Sequence, residues 1–347
     1  MVIMCCCSSS LKKACNILYL LLYSKIQFAP LNNFSKIKRS QKMGIRLFKE
    51  PELEKPDLIC GWPGIGNIGL IAVDTLKGGL VAEEFGEIEP WDFFYPKKVS
   101  IRDGLLESLE FPTNKFYYQQ LRRKDLIFFL GEEQPTEGES VYATGEKAYQ
   151  MANLVLDVAE KFGCQRVYTS GACVSPIHHT VKPRVISVVS SDKLTEEVTR
   201  YPNTILISEM GGREGEGVIT GLNGLLLAVA KKRGLESICL MGEIPDWLSG
   251  SPFPYPKASK SVLEVFADIL GIRVDFGFLD KMVAQIEEIV ERLYEEFPLE
   301  IKERYDERKF VAQAKPGGIT EEDAKWIKEH IDEFFKKRGE QGGQSSV

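Results

Sequence analysis

The sequence has few histidines, and its cysteines are not placed to form a metal site or a set of disulfides. The chain has 347 residues but only three histidines, His178, His179 and His330, and it has no Cys-x-x-Cys pair. A tetrahedral zinc site needs four such ligands at short spacing, so we predict no structural metal. Four of the eight cysteines fall within the first fifteen residues, and the others stand alone in apolar runs. This usage is typical of reduced, cytoplasmic proteins and excludes a disulfide framework.

Long apolar runs are also missing. The stretch Ile17–Tyr23 is far shorter than the roughly 20 residues that a membrane helix needs, and Lys25 closes it. Acidic residues are absent from residues 1–42, so residues 43–347 hold 37 basic against all 50 acidic side chains, a formal charge of −13. An acidic body repels polyanions. We therefore expect neither a membrane nor nucleic acid as a partner.

Residues 1–42 are interpreted as a leader outside the globular protein, either non-native or disordered. They are basic and contain serine, as transit peptides do, but their only arginine is Arg39 and no small-residue cleavage pattern follows the apolar run. We favour upstream sequence read through from a mistaken start, because Met43 opens an ordinary globular sequence. The expected divisions are a globular domain over 43–272, C-terminal helices over 273–338 and a disordered tail over 339–347.

From Asp57 onward, short apolar runs alternate with amphipathic segments, which predicts an α/β sheet. The predicted strands are Asp57–Trp62, Leu105–Phe111, Lys115–Leu121, Asp125–Leu130, Arg166–Ser170, Val185–Ser190, Thr204–Ser208 and Ser237–Met241. The predicted helices are Asn67–Leu76, Ser140–Phe162, Leu194–Thr199, Leu222–Lys232 and Ser261–Leu270. The turns between Leu105 and Leu130 are too short for crossover helices, so we expect those three strands to be antiparallel neighbours.

A further amphipathic helix follows the sheet-forming region. Its apolar stripe at three- and four-residue spacing consists of Leu279, Met282, Val283, Ile286, Ile289, Val290 and Leu293. This stripe either folds back on the chain's own sheet or meets a neighbouring subunit, because leaving several such side chains bare is unfavourable. Pro298–Gly318 is predicted to be a linker, and the capping box Thr320–Asp323 predicts the start of a last helix.

The most specific local pattern is the glycine loop Gly61–Gly69, between the first strand and the first helix. It contains Gly-x-Gly-x-x-Gly at Gly64, Gly66 and Gly69, a pattern that favours an anion at a helix N-terminus. Glu84, twenty residues after Gly64, even fits the carboxylate position of a dinucleotide fold. The antiparallel stretch that follows does not continue a Rossmann half. We favour a role in turn formation and helix packing over nucleotide binding.

Several loops after predicted strands are rich in glycine and acid, and a largely parallel sheet would bring them to one rim, where ligands or partners bind. The segment His178–Arg184 adds two histidines and two cations, but no nucleophile or orienting carboxylate accompanies them, so we interpret it as a rigid turn. No residue is assigned a catalytic role. The candidate ligand- or partner-binding residues are Gly64, Gly66, Asn67, Glu132, Gln134, Thr136, Gly171, His179, Thr180, Arg184, Arg213, Glu214 and Glu243.

Five segments, in this order and spacing, carry a resemblance. They are Cys60–Gly69, Gly131–Pro135, Tyr168–Gly171, His179–Pro183 and Gly217–Gly224. Together they resemble the archaeal and bacterial branch of the proteasome assembly chaperone family, over about Leu47 to Leu270. The resemblance implies one three-layer, mixed-sheet α/β domain similar in layout to purine nucleoside phosphorylases, followed here by a C-terminal helical appendage.

The same resemblance implies a function without catalysis or cofactor: a homo-oligomer that binds proteasome subunits or another oligomeric client. Because it implies a closed homo-oligomer, we expect the apolar stripe from Leu279 to Leu293 to meet a neighbouring subunit rather than the chain's own sheet. Family members implicated in proteasome binding often end in a hydrophobic-Tyr-any tail, whereas this chain ends Gln344-Ser-Ser-Val347. We therefore expect binding through a surface rather than through such a tail. The rival hypothesis is a phosphate- or nucleotide-binding enzyme or sensor, with Gly64 and Gly66 at the phosphate and with Arg184, Arg213, Glu214 and Glu243 recognising anion and base.

Overall fold

The structure of the chain, a computed structural model, describes residues 44–138, 140, 142–210 and 217–311. The strands are β1 (Ile45–Leu47), β2 (Asp57–Gly61), β3 (Glu83–Ile88), β4 (Lys98–Arg102), β5 (Leu105–Glu110), β6 (Asn114–Gln119), β7 (Leu126–Gly131), β8 (Arg166–Ser175), β9 (Val185–Val189), β10 (Thr204–Leu206) and β11 (Glu236–Pro245). The helices are α1 (Ile68–Gly79), α2 (Gly145–Lys161), α3 (Asp192–Val198), α4 (Gly221–Lys232), α5 (Pro256–Leu270), α6 (Gly277–Glu295), α7 (Leu299–Asp306) and α8 (Arg308–Val311). None of these helices is both long and apolar enough to cross a bilayer.

The main sheet is mixed, with strand order β1-β3-β6-β7-β2-β8-β11-β9-β10. Its centre is parallel, because β2 pairs in parallel with β7 and β8, and β8 pairs in parallel with β11. The pairs β6–β7 and β9–β11 are antiparallel. The predicted mixed α/β sheet is thus confirmed, and four parallel strands end at one edge.

Helices cover both faces of this sheet. Alternate residues of β2 show why: Ile59 packs into one apolar cluster, while Leu58 and Cys60 pack into another on the opposite face. The first cluster is completed by α1, α3, α5 and α6, and the second by α2 and α4. The result is the predicted three-layer domain, in which the central strands are buried on both sides.

Helix α1 lies unusually close to the sheet. A β-carbon at Gly69 would collide with the carbonyl oxygen of Ser170 in β8. Because every other amino acid carries that atom, only glycine allows this helix–strand distance. The last glycine of the motif therefore serves packing, as expected from the sequence.

The expectation of three antiparallel neighbours between Leu105 and Leu130 was partly wrong. β6 and β7 are such neighbours, but β5 pairs with β4 in a separate two-stranded sheet. The sequence Leu105-Leu-Glu-Ser-Leu-Glu110 does not alternate regularly, and all six of its residues are exposed, so this strand contributes nothing to the core.

The expectation for the apolar stripe of α6 was also wrong for most of its length. Leu279 and Val290 are buried, and Met282 and Ile286 pack against the chain's own core. Val283 and Ile289 are partly exposed, as Met282 and Ile286 are, but they do not pack against that core, and Leu293 is 37% exposed. The three- and four-residue spacing of the apolar residues predicts this amphipathic helix correctly, but it does not tell which surface the apolar face packs against.

The predicted linker Pro298–Gly318 begins with regular structure instead, because α7 and α8 occupy 299–311. The start of α7 is tied to α6: Lys302 Nζ donates to the Glu295 carbonyl at 2.6 Å, and Tyr294 Oη donates to the Lys302 carbonyl at 3.1 Å. The charged composition of this segment is typical of a linker, and sequence periodicity does not predict such local hydrogen bonds. The predicted capping box Thr320–Asp323 lies outside the described residues.

Candidate functional site

The carboxyl ends of β2, β7, β8 and β11 share one edge of the sheet, and two hollows open there. One has a volume of ≈ 330 Å³ and extends toward β8 and α4. The other, of ≈ 500 Å³, lies between the glycine loop and the segments that follow β7 and β11. The glycine loop contributes to both, so we treat the two hollows as one rim site.

The backbone conformation of the loop requires glycine at position 66. Its φ of 59° is left-handed, and a β-carbon there would stand 3.0 Å from Tyr255 Cβ and 3.2 Å from Ile244 Cδ1. Its carbonyl accepts the Tyr255 amide at 2.8 Å, which anchors the loop to the start of α5. Gly66 thus fits the interpretation of a turn and packing residue.

Gly64 behaves differently. Its φ of −166° is extended backbone that any residue adopts, and no atom lies within 4 Å of a β-carbon built there. It faces both hollows. The next turn is closed by Asn67, which has a φ of 49° and whose amide donates to the Gly64 carbonyl at 2.9 Å. The rim therefore has open space beside Gly64 that packing does not need.

Gln134 joins three parts of the rim. Its Nε2 donates to the Pro63 carbonyl at 2.7 Å, while its Oε1 accepts the Leu222 amide at 3.0 Å and the Ala143 amide at 3.4 Å. The amide side chain therefore links the glycine loop to the first turn of α4 and to the segment before α2. Gln134 positions the walls of the site, and both ends of its amide are already used.

The ≈ 330 Å³ hollow is neutral along its described walls. Gly171, Cys173 and Asn223 line its β8–α4 side, and no Lys, Arg, Asp or Glu is among its described lining residues. Asn223 Nδ2 donates to the Ser170 carbonyl at 2.8 Å, which fixes this wall. Burial raises the pKa of Cys173 to about 11, so its thiol is protonated at neutral pH and is not a ready nucleophile.

The ≈ 500 Å³ hollow is acidic and polar. Glu132, Glu133 and Thr136 line it on one side, and the segment 249–251 lines it on another. Burial acts to raise the pKa of Glu132, but hydrogen bonds from Lys97 Nζ at 3.1 Å and the Thr113 amide at 3.2 Å outweigh it, so the pKa is lowered. The carboxylate is ionised at neutral pH, and the hollow disfavours an anion.

Arg184 and Glu243 are committed to each other. Arg184 Nε donates to Glu243 Oε2 and its Nη2 to Oε1, both at 2.8 Å, and the Arg184 amide donates to Oε2 at 3.0 Å. Ser175 Oγ completes the shell of the fully buried carboxylate at 2.9 Å. The bonds to Glu243 raise the pKa of Arg184. This ion pair has a structural role. Neither Arg184 nor Glu243 is therefore free to clamp an anion or to recognise a base, as the rival hypothesis requires.

His179 is buried under the C-terminal helices, Thr180 is exposed beside it, and neither lines a hollow. The rings of His178 and His179 stack with centroids 4.1 Å apart, and His179 Nε2 pairs with Glu291 Oε2 of α6 at 3.0 Å. Thr180 Oγ1 pairs with His178 Nδ1 at 2.8 Å. Burial and the neighbouring His179 lower the pKa of His178 to about 4, so it is neutral at physiological pH.

The rim gathers about half of the predicted residues. The residues that line one or both hollows are Gly64, Gly66, Asn67, Glu132, Gln134, Thr136 and Gly171. His179, Thr180, Arg184 and Glu243 belong to the structural clusters described above, and Arg213 and Glu214 lie outside the described residues. The sequence analysis missed Tyr142, Asn223 and Ser249–Ser251, although Asn223 in the first turn of a helix beside a predicted rim strand was a usable signal.

Metal ligation has no basis in the described part of the chain. Across those residues no group of three or more His, Cys, Asp or Glu side chains is arranged to hold an ion. The carboxylates of the rim instead pair with lysine, as Glu132 and Glu133 do with Lys97.

Comparisons with known proteins agree on one relationship. A family model described as the PAC2 family matches residues 58–294. The uncharacterised protein MJ1210 of Methanocaldococcus jannaschii is 31% identical over 276 residues, which is 79% of this chain and 93% of that protein. The crystal structure of Pyrococcus furiosus PbaB, an archaeal proteasome activator, is 29% identical with a TM-score of 0.60 and covers 73% of this chain and 99% of PbaB.

A second archaeal structure supports the fold alone. Pyrococcus furiosus PbaA, an archaeal homologue of proteasome-assembly chaperone, is 23% identical with a TM-score of 0.54 and covers 78% of this chain and 98% of PbaA. The likeness to nucleoside phosphorylases expected from the sequence stays a prediction.

Proposed function

The chain belongs to the PAC2 family, and from that premise we propose that it is a non-enzymatic, chaperone-like protein that self-associates and binds proteasome subunits in the cytoplasm. The observation that carries this proposal is the likeness to PbaB, which extends over nearly the whole length of that proteasome activator. The mixed sheet and its two helical layers are the frame that the two chains share.

The rim is the surface that we assign to the client. Its two hollows adjoin at Gly64, so together they offer a groove along which a protein segment can lie. One part is neutral with a mixed apolar and polar lining. The other carries Glu132 and Glu133, whose two negative charges share a single cation, Lys97. Such a groove suits an apolar side chain flanked by a basic one.

Binding is supported over catalysis by the state of the ionisable groups. The Arg184–Glu243 pair is closed on itself, and the pKa of the Cys173 thiol is raised away from reactivity. The acidic side of the rim also works against a phosphate or nucleotide. These features give the rival enzyme or sensor no support among the described residues.

The proposal is tested by filling the groove without disturbing the fold. Gly64→Trp places a large side chain in open space on extended backbone, so we expect an unchanged melting temperature but at least a roughly tenfold weaker affinity for purified proteasome α-subunits. Gly78→Trp is the matched control, because Gly78 also has no atom within 4 Å of its β-carbon but lies at the end of α1, away from the rim.

Two results would contradict the proposal. The wild-type protein could show no affinity for proteasome subunits or the assembled particle in surface-immobilised binding measurements. Alternatively, inorganic phosphate or a nucleotide could raise the melting temperature of the wild type but not that of Gly64→Trp, which would reassign the groove to a small anion.

A further inference from the structure

The hairpin of β4 and β5, with the segment that leads into it, carries an exposed apolar surface. We call it the hairpin patch. Its members are Trp91, Tyr95, Val99, Ile101, Leu105, Leu106 and Leu109. Ile101 and Leu106 are each 69% exposed, and Tyr95 is 88% exposed. Seven exposed apolar side chains therefore lie within nineteen residues, whereas exposed apolar side chains are normally scattered singly over a protein surface.

The strand register places four of these side chains on one face of the hairpin. Val99 lies opposite Leu109, and Ile101 lies opposite Leu106 after a bulge that shifts the register. Val99 and Ile101 are two apart on β4 and share a face. Directly opposed residues of an antiparallel pair project to the same side, so Leu109 and Leu106 join them, because the bulge absorbs the extra residue between the two leucines. None of the four belongs to an apolar cluster of the described chain. The face is therefore apolar and continuous, and no apolar cluster of the described residues covers it.

The charges of the hairpin cancel. Residues 97–110 contain three basic and three acidic side chains, in a body whose formal charge is −13. Lys98 pairs with Glu110 at 3.0 Å and Arg102 with Glu107 at 3.1 Å. Lys97 pairs with Glu132 and Glu133 of the rim, which leaves Asp103 as the one hairpin charge without an ion pair among the described residues. The hairpin thus has no net charge that would select a strongly charged partner. It is also a place where two acidic copies can approach without strong repulsion.

The size of the patch suits a stable contact. Trp91 and Tyr95, exposed by 65% and 88%, alone offer roughly 230–380 Å² of aromatic surface. The four aliphatic side chains that share one hairpin face add to this, whereas Leu105, paired with Arg102, projects to the other face. A standard protein interface buries roughly 800 Å² per partner. The hairpin patch can supply most of the apolar centre of such an interface.

We propose that two copies of the chain pair through this face, hairpin patch against hairpin patch, about a twofold axis. A neutral apolar face is complementary to itself, which is what an isologous contact requires. The inference rests on the self-association in the proposed function and gives it a surface. The hairpin patch also takes the place of the apolar stripe of α6 as the expected contact with a neighbouring subunit, because most of that stripe packs within its own chain.

The first test measures particle mass by light scattering after size-exclusion chromatography. Ile101→Glu combined with Leu106→Glu is expected to halve the mass at an unchanged melting temperature, because both side chains are already solvated in the single chain. The matched control is Phe278→Glu with Leu299→Glu, which replaces two apolar residues that are 72% and 69% exposed outside the hairpin. The control should keep the wild-type mass.

The second test asks whether the contact is isologous. A Lys version of the hairpin double variant should also have half the wild-type mass, whereas an equal mixture of the Glu and Lys versions should regain it, since opposite charges then meet across the axis. Loss of mass without recovery on mixing would overturn the twofold pairing, because the hairpin would then meet a different surface of its neighbour.

The remaining outcomes separate this inference from the proposed function. An unchanged mass in both hairpin variants overturns the inference, and weaker proteasome binding in those variants would reassign the patch to the client. A wild-type protein that is monomeric at all concentrations also overturns it. If that monomer binds α-subunits and Gly64→Trp does not, the client-binding part of the proposed function stands on its own.

Discussion

Gly64 and Gly66 belong to the same motif, but only at Gly66 does the backbone conformation require glycine. Gly66→Ala is expected to lower the free energy of unfolding by about 1–3 kcal/mol, because alanine resists a φ of 59° and its β-carbon would press on Tyr255 and Ile244. Gly64→Ala should leave it unchanged or raise it by up to about 1 kcal/mol, since its backbone is extended and unobstructed. Urea unfolding of both variants measures the difference. Equal losses would mean that Gly64 is also held by packing.

The sequence predicts at this scale which residue types gather at the rim, but not what each is bonded to. The pairing of Arg184 with Glu243 joins residues 59 positions apart and arises because the antiparallel β9–β11 ladder brings them together. Periodicity carries no information on such a pair. Arg184 therefore looked available from the sequence, whereas the structure shows that it is bonded to Glu243.

At the scale of elements, the C-terminal helices cover a pair of neutral histidines. The unfolded chain binds protons to His178 near its ordinary pKa of 6.5, whereas in the folded chain that pKa is about 4. The folded state then binds fewer protons over this window, so stability is complete above about pH 6.5 and falls as the pH decreases toward 4. Acid should thus loosen the contact between the His178–His179 turn and α6–α7.

The variant His178→Asn tests this dependence. Asparagine supplies an acceptor for the Thr180 amide, which donates to His178 Nδ1 at 3.2 Å, but it cannot titrate. We expect the free energy of unfolding to decrease less between about pH 7.5 and pH 5 in the variant than in the wild type. Identical pH dependence in denaturant titrations would show that His178 does not sense pH.

The central elements were predictable because their patterns are local. β2, β7 and α1 lie close to their predicted bounds, since continuous apolar runs and a three- to four-residue period are typical of buried strands and amphipathic helices. Two features were not predictable: the partner of β5 and the surface covered by α6. Both depend on tertiary packing, which the period of a segment does not specify.

At the scale of the whole molecule, buried thiols report how the domain opens. Burial raises the pKa of Cys164 and of Cys239 to about 12, and that of Cys60 well above its ordinary value. Cys60 and Cys164 pack on one face of the sheet, and Cys239 belongs to a separate cluster. Their alkylation in the native protein should therefore require unfolding.

The expected result is that all three thiols react with iodoacetamide at least about 100-fold more slowly in native buffer than in denaturant. If the domain opens as one cooperative unit, their rates, followed residue by residue with mass spectrometry, should coincide. A much faster reaction at Cys239 would indicate that the smaller cluster around β9 and β11 opens on its own.

The short distance between α1 and β8, at Gly69 and Ser170, also limits which substitutions this sequence can accept. No amino acid is intermediate between glycine and one with a β-carbon, so no gradual path leads away from glycine at this position while the helix stays in place. Gly78 and Gly79, at the end of the same helix, face open space and carry no such restriction. In a mutational library, the start of α1 would be nearly fixed at position 69 while its end varied, and any lineage that lost this glycine would first have to move the helix.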